Sequence, residues 1–207
     1  MNDILLNYPG NPSSVHSYGQ KTRQKLIEAR DTIAGCLGVS PKELIFTSGA
    51  TEAINMAIRS FFETCPKGHL ITSDLEHEAV YQTIKQVEKR GCSVTYLKGG
   101  TYGAVSPESV QAAIRPDTKL IALIGVNNET GVKTDVDAIA EIAKEANIPL
   151  FIDAVAMLGK EQIRIPEGVS SMCFSGHKIH APQGVGLLFM RKQFKIVPLL
   201  HLSLIHI

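Results

Sequence analysis

The chain has 207 residues, of which 44% are hydrophobic and 20% are charged, and its formal net charge is +1. This balance is ordinary for a globular domain, and it gives no reason to expect nucleic acid or a membrane surface as a partner. No apolar run approaches the roughly 20 residues that span a bilayer, and residues 1–4 lack the basic start of a secretory signal. We therefore expect a cytoplasmic protein.

Short apolar segments alternate with longer amphipathic ones along the chain. Segments typical of β-strands lie at residues 43–47, 69–73, 93–97, 119–125, 148–153, 171–174 and 186–190. Segments typical of helices lie at residues 51–63, 78–89, 106–113 and 135–146. Ser106-Pro107 and Asp135 are good residues for starting the last two helices. This alternation predicts one α/β domain with a mainly parallel, seven-stranded sheet flanked by helices, whose ligands bind beyond the carboxyl ends of the strands.

The four cysteines, Cys36, Cys65, Cys92 and Cys173, are too far apart for a metal-binding or redox Cys-x-x-Cys motif. We expect free thiols and no metal site.

Small and polar residues follow the first two predicted strands. The run Ser-Gly-Ala-Thr-Glu at 48–52 would let a phosphate reach the helix N-terminus at Ala50 and Thr51, although it is also an ordinary helix cap. His77, after the second strand, could stack on a planar ligand or move a proton. A structural or solvated histidine is the alternative interpretation.

A third cluster joins Asn127 with Asp153, each at the end of an apolar strand. A carboxylate at the mouth of a buried strand needs a cationic or hydrogen-bonding partner, and a protonated pyridine nitrogen is one such group. A helix cap or an internal salt bridge is the alternative for Asp153.

The fourth cluster is Ser175-Gly176-His177-Lys178, in a Gly- and Pro-rich loop between two strands. A lysine that is desolvated and close to other cations loses its proton and becomes a nucleophile toward aldehydes. Ser175 and His177 could donate hydrogen bonds to a phosphate. The cluster predicts an aldehyde-binding lysine at Lys178.

These clusters, together with Gly-Asn-Pro-Ser-Ser-Val-His at 10–16, resemble in content and order the motifs of cysteine desulfurases. Those enzymes are class V, fold-type I enzymes that depend on pyridoxal 5'-phosphate. The resemblance covers residues 1–201, which would form an incomplete pyridoxal-phosphate-binding large domain.

The resemblance implies a role for each candidate residue. Lys178 would hold the cofactor covalently and then move a proton, Asp153 would pair with the pyridinium nitrogen, and His77 would stack on the ring and assist proton transfer. Asn127 would hydrogen-bond the ring oxygen. The phosphate would be held by Ala50, Thr51, Ser175 and His177.

The implied reaction converts L-cysteine to L-alanine and passes the sulfur to an enzyme cysteine as a persulfide, for iron–sulfur cluster or thio-cofactor synthesis. A sulfur-acceptor protein and a homodimer are implied as partners.

The chain departs from the family pattern in several places. Val155 and Ala156 stand where a hydroxyl residue and a glutamine are usual, so one cofactor contact is missing. The family's opening segment is absent, and residues 202–207, which resemble a translated sequencing adapter, replace the Gly-Gly-Gly-Gln-Glu run after residue 201. The small domain, with its catalytic cysteine loop and substrate-binding arginine, would lie beyond that point. We therefore expect this chain to be inactive by itself.

Two alternatives remain, and a third is excluded. A selenocysteine lyase, or another class V lyase or aminotransferase, would share the same clusters. A non-catalytic binding module could keep the fold, which the loss of glutamine at Ala156 slightly favours. A nicotinamide-binding domain is excluded, because no Gly-x-Gly-x-x-Gly follows the first strand.

Overall fold

The computed structural model describes residues 1–63, 67–100 and 102–199. The described chain divides into two compact units, Met1–Leu44 and Ile45–Leu199. Cys65 and the predicted adapter-derived tail, 202–207, lie outside the described residues. The boundary predicted at residue 201 lies outside them as well.

The first unit contains two helices, α1 at Asn2–Asn7 and α2 at Ser17–Leu37. Helix α2 is capped at its start by His16, whose side chain accepts a hydrogen bond from the Gly19 N–H. Its C-terminal cap is Gly38 in the left-handed conformation, with φ of 67°. Neither helix was among the four helical segments predicted from the sequence. In α2 the reason is that only Gly19, Ala34 and Leu37 are buried, so the helix has no continuous apolar stripe.

The second unit carries the sheet, whose first strand begins at its boundary. The strands are β1 (Leu44–Thr47), β2 (His69–Ser73), β3 (Ser93–Leu97), β4 (Thr118–Ile124), β5 (Leu150–Asp153), β6 (Ser171–Ser175) and β7 (Gly186–Met190). The helices are α3 (Ala50–Glu63), α4 (Glu78–Lys89), α5 (Pro107–Ala113) and α6 (Val136–Glu145). All seven predicted strands and all four predicted helices are confirmed, with bounds that differ by at most two residues at either end.

The strand order is β1-β7-β6-β5-β4-β2-β3. Strand β2 pairs in parallel with β3 and β4, and β4, β5 and β6 continue in parallel, whereas β6 and β7 are antiparallel. The prediction of a mainly parallel seven-stranded sheet is therefore confirmed. Strands β2 and β3 lie on one side of β4, whereas β5 and β6 lie on its other side. Such a reversal of strand order opens a crevice at the carboxyl ends of the strands.

The core lies on both faces of the central strands. Every residue of β5, β6 and β7 is buried, and Phe151, Phe174 and Phe189 are among the largest side chains with almost no exposure. Helices α3 and α4 contribute their apolar stripes to one buried cluster with strand residues such as Leu70, Leu120 and Phe151. The predicted cap at Asp135 is confirmed, since its carboxylate accepts the Ala138 N–H at 3.1 Å.

Among the described residues, no helix is both long and apolar enough to cross a membrane.

Candidate active site

A cleft of about 750 Å³ opens at the carboxyl ends of the strands, within the second unit. A volume of this size suits a small organic ligand or cofactor. All eight residues that the sequence predicted for the site line this cleft: Ala50, Thr51, His77, Asn127, Asp153, Ser175, His177 and Lys178. The sheet thus brings together side chains that come from five separate segments of the chain.

One wall of the cleft is the turn from β1 into α3. The Ala53 N–H is the first to bond within the helix, to the Gly49 carbonyl at 3.2 Å, so the N–H groups of Ala50 and Thr51 precede the helical ladder. The Thr47 hydroxyl donates to the same carbonyl at 2.9 Å and fixes the turn. Free N–H groups at a helix N-terminus favour an anion, so this wall can hold a phosphate.

The turn packs closely against the start of β7. A Cβ added to Gly186 would lie 2.5 Å from both Cα and C of Gly49 and 2.7 Å from the Thr47 hydroxyl oxygen. Only glycine allows this approach. Gly186 therefore sets the position of the turn from β1 into α3.

Asp153 ends β5 and is 3% exposed. Its Oδ1 accepts the Val155 N–H at 3.1 Å and the Cys173 thiol at 3.6 Å. Burial raises the pKa of Asp153, and the hydrogen bond from Val155 opposes the rise. The internal salt bridge that was an alternative interpretation of Asp153 is absent among the described residues. A buried carboxyl of this kind gains most from a cationic ligand, because the ligand offsets the cost of the buried charge.

Asn127 and His77 both have structural hydrogen bonds and also face the cleft. Asn127 donates to the Leu75 carbonyl at 3.2 Å and accepts from the N–H groups of Glu129 and Thr130. Its amide has a second hydrogen, which a ligand's oxygen can accept. His77 caps α4, because its Nδ1 accepts the Ala79 N–H at 3.1 Å. This bond places the proton of a neutral His77 on Nε2. The structural interpretation of this histidine is therefore observed, and its role toward a ligand stays a prediction.

Lys178 lies on a tight 3₁₀ turn, Gly176–Ile179, that follows β6 directly. The turn is closed by hydrogen bonds from the Gly176 N–H to the Val185 carbonyl and from the Ala181 N–H to the Gly176 carbonyl. Ser175 is buried, and its hydroxyl is 2.9 Å from Nδ1 of His177. Lys178 itself is exposed in this chain. The desolvation that would activate its amine is therefore not seen in this chain, and its role as the aldehyde-binding lysine stays a prediction.

Two residues next to the site were not assigned a role from the sequence. Glu76, beside His77, has a buried carboxyl whose pKa burial raises to about 8. Cys173, the β6 neighbour of Asp153, is fully buried, and burial raises the pKa of its thiol. The position of Glu76 in a polar cluster after a strand was the one available signal. Cys173 gave none, because its partner is 20 residues away.

Val155 and Ala156, the two departures from the family pattern, both line the cleft. No group of three or more His, Cys, Asp or Glu side chains within the described ranges could hold a metal ion.

The fold and the cleft define an α/β domain with a ligand site at the carboxyl edge of its sheet. The family model for class-V aminotransferases matches residues 1–202, so the chain belongs to that family. Its relatives include a cysteine desulfurase IscS of Dictyoglomus turgidum, which is 43% identical over 204 residues, or 97% of this chain and 52% of that protein.

Two solved structures resemble the chain closely. A NifS-like protein matches with a TM-score of 0.93 and 35% identity, over 98% of this chain and 57% of that one. A structure described as SspA in complex with cysteine also has a TM-score of 0.93, with 37% identity over 96% of this chain and 59% of that one. The chain thus spans about half the length of the curated relatives it matches.

Proposed function

We propose that this chain provides the cofactor-binding part of a pyridoxal-phosphate-dependent cysteine desulfurase. The observation that carries the proposal is the convergence of all eight predicted residues on one cleft, with Lys178 and Asp153 after neighbouring strands. The similarity to proteins named cysteine desulfurase supports the choice of substrate class.

The residues present fit this cofactor. The N-terminus of α3 suits its phosphate, and the buried Asp153 suits a protonated ring nitrogen. Asn127 has an amide hydrogen to offer the ring oxygen. When bound, pyridoxal phosphate supplies an electron-poor ring that accepts an electron pair from the substrate.

The chain's own groups account for the remaining tasks. Lys178 supplies a primary amine, the group that condenses with an aldehyde and that can take up and return a proton. His77 offers an Nε2 proton at the cleft. The proposed reaction breaks the carbon–sulfur bond of L-cysteine, forms a sulfur–sulfur bond to an enzyme thiolate, and adds a proton to the β-carbon to give L-alanine.

The acceptor thiolate is not expected among the described cysteines of the second unit. The thiol of Cys173 is buried with a raised pKa, and thiolate character is what a sulfur acceptor needs. Cys92 is also buried. A sulfur-acceptor protein, a homodimer and a role in iron–sulfur cluster assembly remain proposals that follow from the family. A cytoplasmic location remains a proposal as well.

The test is covalent trapping. The protein is incubated with pyridoxal phosphate, reduced with borohydride, digested and analysed by mass spectrometry. We expect the adduct on Lys178 and its loss in Lys178→Ala. Lys160→Ala is the matched control, since Lys160 lines the same cleft, and it should keep the adduct on Lys178. An adduct spread over several lysines, or one unchanged in Lys178→Ala, contradicts the proposal.

A further inference from the structure

Glu76 has an acid group enclosed at the turn that follows β2. Its Oε1 accepts two hydrogen bonds, from the Ser73 hydroxyl at 2.5 Å and from the Ile124 N–H at 3.0 Å. Its Oε2 is buried and has no hydrogen-bond partner among the described residues. The residue as a whole is only half-buried, so it is the carboxyl end that lies inside.

This environment favours the neutral acid over the carboxylate. A buried carboxylate oxygen without a hydrogen-bond donor loses its hydration, and no protein interaction replaces it. A proton on Oε2 removes the charge, and Oε1 can still accept both hydrogen bonds. Burial raises the pKa of Glu76 to about 8, and the negative charge of Asp153 adds a smaller rise. The hydrogen bonds from Ser73 and Ile124 act in the opposite direction but do not overcome burial.

The charged groups around Glu76 can be named element by element. Strand β2 contributes the neutral Ser73, β4 contributes the backbone of Ile124, and β5 contributes Asp153. His77, on the same turn, acts on Asp153 and lowers its pKa slightly. Two neighbouring carboxyl groups that are shielded from water repel each other when both are ionised. The pair is therefore most stable with a single negative charge, because one carboxyl group keeps its proton.

The turn that Glu76 holds in place contacts one residue of the cleft and contains another. The Leu75 carbonyl accepts the amide of Asn127, and His77 follows Glu76 directly and caps α4. The anchor point also lies beside Asp153, because Ile124 is the register partner of Asp153 across β4 and β5. One side chain thus ties the turn after β2 to the end of β4, next to the buried carboxyl of β5.

We propose that Glu76 is a positioning residue that acts as a neutral acid, fixing the His77 turn to β4 and leaving the negative charge of the pair on Asp153. The consequence of this proposal for the cofactor site rests on the proposed function. The charge state of Glu76 is independent of any cofactor.

The test compares Glu76→Gln with Glu76→Ala in the complete protein that the gene encodes. Glutamine keeps the acceptor oxygen and puts an N–H where the acid has its O–H, whereas alanine removes both hydrogen bonds. We expect Glu76→Gln to bind pyridoxal phosphate near pH 7 within about threefold of the wild type, and Glu76→Ala to bind at least about tenfold more weakly. Glu78→Gln, two residues away and exposed, is the matched control and should change nothing.

The pH dependence of the free energy of unfolding, measured without cofactor, distinguishes a neutral acid from a residue with a merely structural role. A carboxyl whose pKa rises from 4.5 to about 8 on folding makes the wild type lose stability relative to Glu76→Gln as pH rises through that range. Above about pH 8 the difference should stay constant, because the carboxyl is then ionised in both the folded and the unfolded state. A difference that does not vary with pH overturns the proposal.

Infrared spectroscopy gives a second measure that does not require Glu76→Gln to fold. The wild type near neutral pH should show the carbonyl stretch of a protonated, dehydrated carboxylic acid, and this band should persist in Asp153→Asn. Its absence from the wild type, or its loss in Asp153→Asn, overturns the neutral Glu76. If the wild type binds no pyridoxal phosphate, the proposed function fails while both charge-state measurements still decide this inference.

Discussion

Gly186→Ala should destabilise the protein by pushing the start of β7 against the turn from β1 into α3. The new methyl carbon would lie 2.5 Å from Cα and C of Gly49, about 1 Å inside ordinary van der Waals contact. Both contacted atoms belong to the backbone, so no side chain can rotate away and either β7 or the turn must move.

Overpacking of this kind costs about 1–3 kcal/mol, which corresponds to roughly 2–4 °C of Tm for each kcal/mol in a domain of this size. Because the turn carries the N–H groups of Ala50 and Thr51, its displacement should also weaken the binding of pyridoxal phosphate. Urea unfolding followed by circular dichroism measures the first effect, and a binding titration measures the second.

Gly35→Ala is the matched control. A Cβ at Gly35 meets no atom within 4 Å, and the residue lies inside α2, where alanine is favoured over glycine by up to about 1 kcal/mol. We therefore expect Gly35→Ala to be neutral or stabilising. If Gly186→Ala unfolds within about 0.5 kcal/mol of the wild type, the turn is not held by close packing and the reasoning is refuted.

Three other predictions concern buried polar groups. His69 lies between the hydroxyls of Thr118 and Thr95, and burial lowers its pKa below 6.5, so stability should fall as pH drops below that value. His69→Gln should flatten this pH dependence in urea unfolding, and an unchanged slope would contradict the assignment. Asp153→Asn should keep or raise the stability of the cofactor-free protein near pH 7, because it removes a buried charge. The same substitution should weaken the binding of pyridoxal phosphate, and an unchanged affinity would exclude Asp153 as the partner of the ring. Cys173→Ala removes a thiol donor to Asp153 and should raise the pKa of that carboxyl further, as measured by NMR titration, whereas Cys173→Ser should keep it nearly unchanged.

The sheet could be predicted from the sequence because its signals are local. Residues 120–124 of β4 are apolar throughout, and Asp135 and Ser106 mark helix starts by residue type alone. Helix α2 could not be predicted in this way. Its long run of exposed polar residues gives almost no stripe, so the sequence contains little evidence of what the helix packs against.

The candidate site was predictable to the extent that each residue follows a strand. The carboxyl ends of parallel strands meet at one edge, so side chains placed after separate strands converge without any contact being known. His77 shows the limit of this reasoning. A helix cap and a ligand-facing imidazole looked like alternatives, but the Nδ1 bond to Ala79 and the position in the cleft make them compatible.

The charge states of the site lie beyond what strand-end patterns can give. The charge state of Asp153 depends on the hydrogen bond from Cys173 on one neighbouring strand. It also depends on Glu76, whose carboxyl group is anchored on the other neighbouring strand. None of these residues is close to another in sequence. A motif can therefore identify Asp153 as the residue that faces the ligand, but whether it carries the negative charge depends on a proton held by Glu76. That proton follows from the burial of one oxygen atom, which only the folded chain determines.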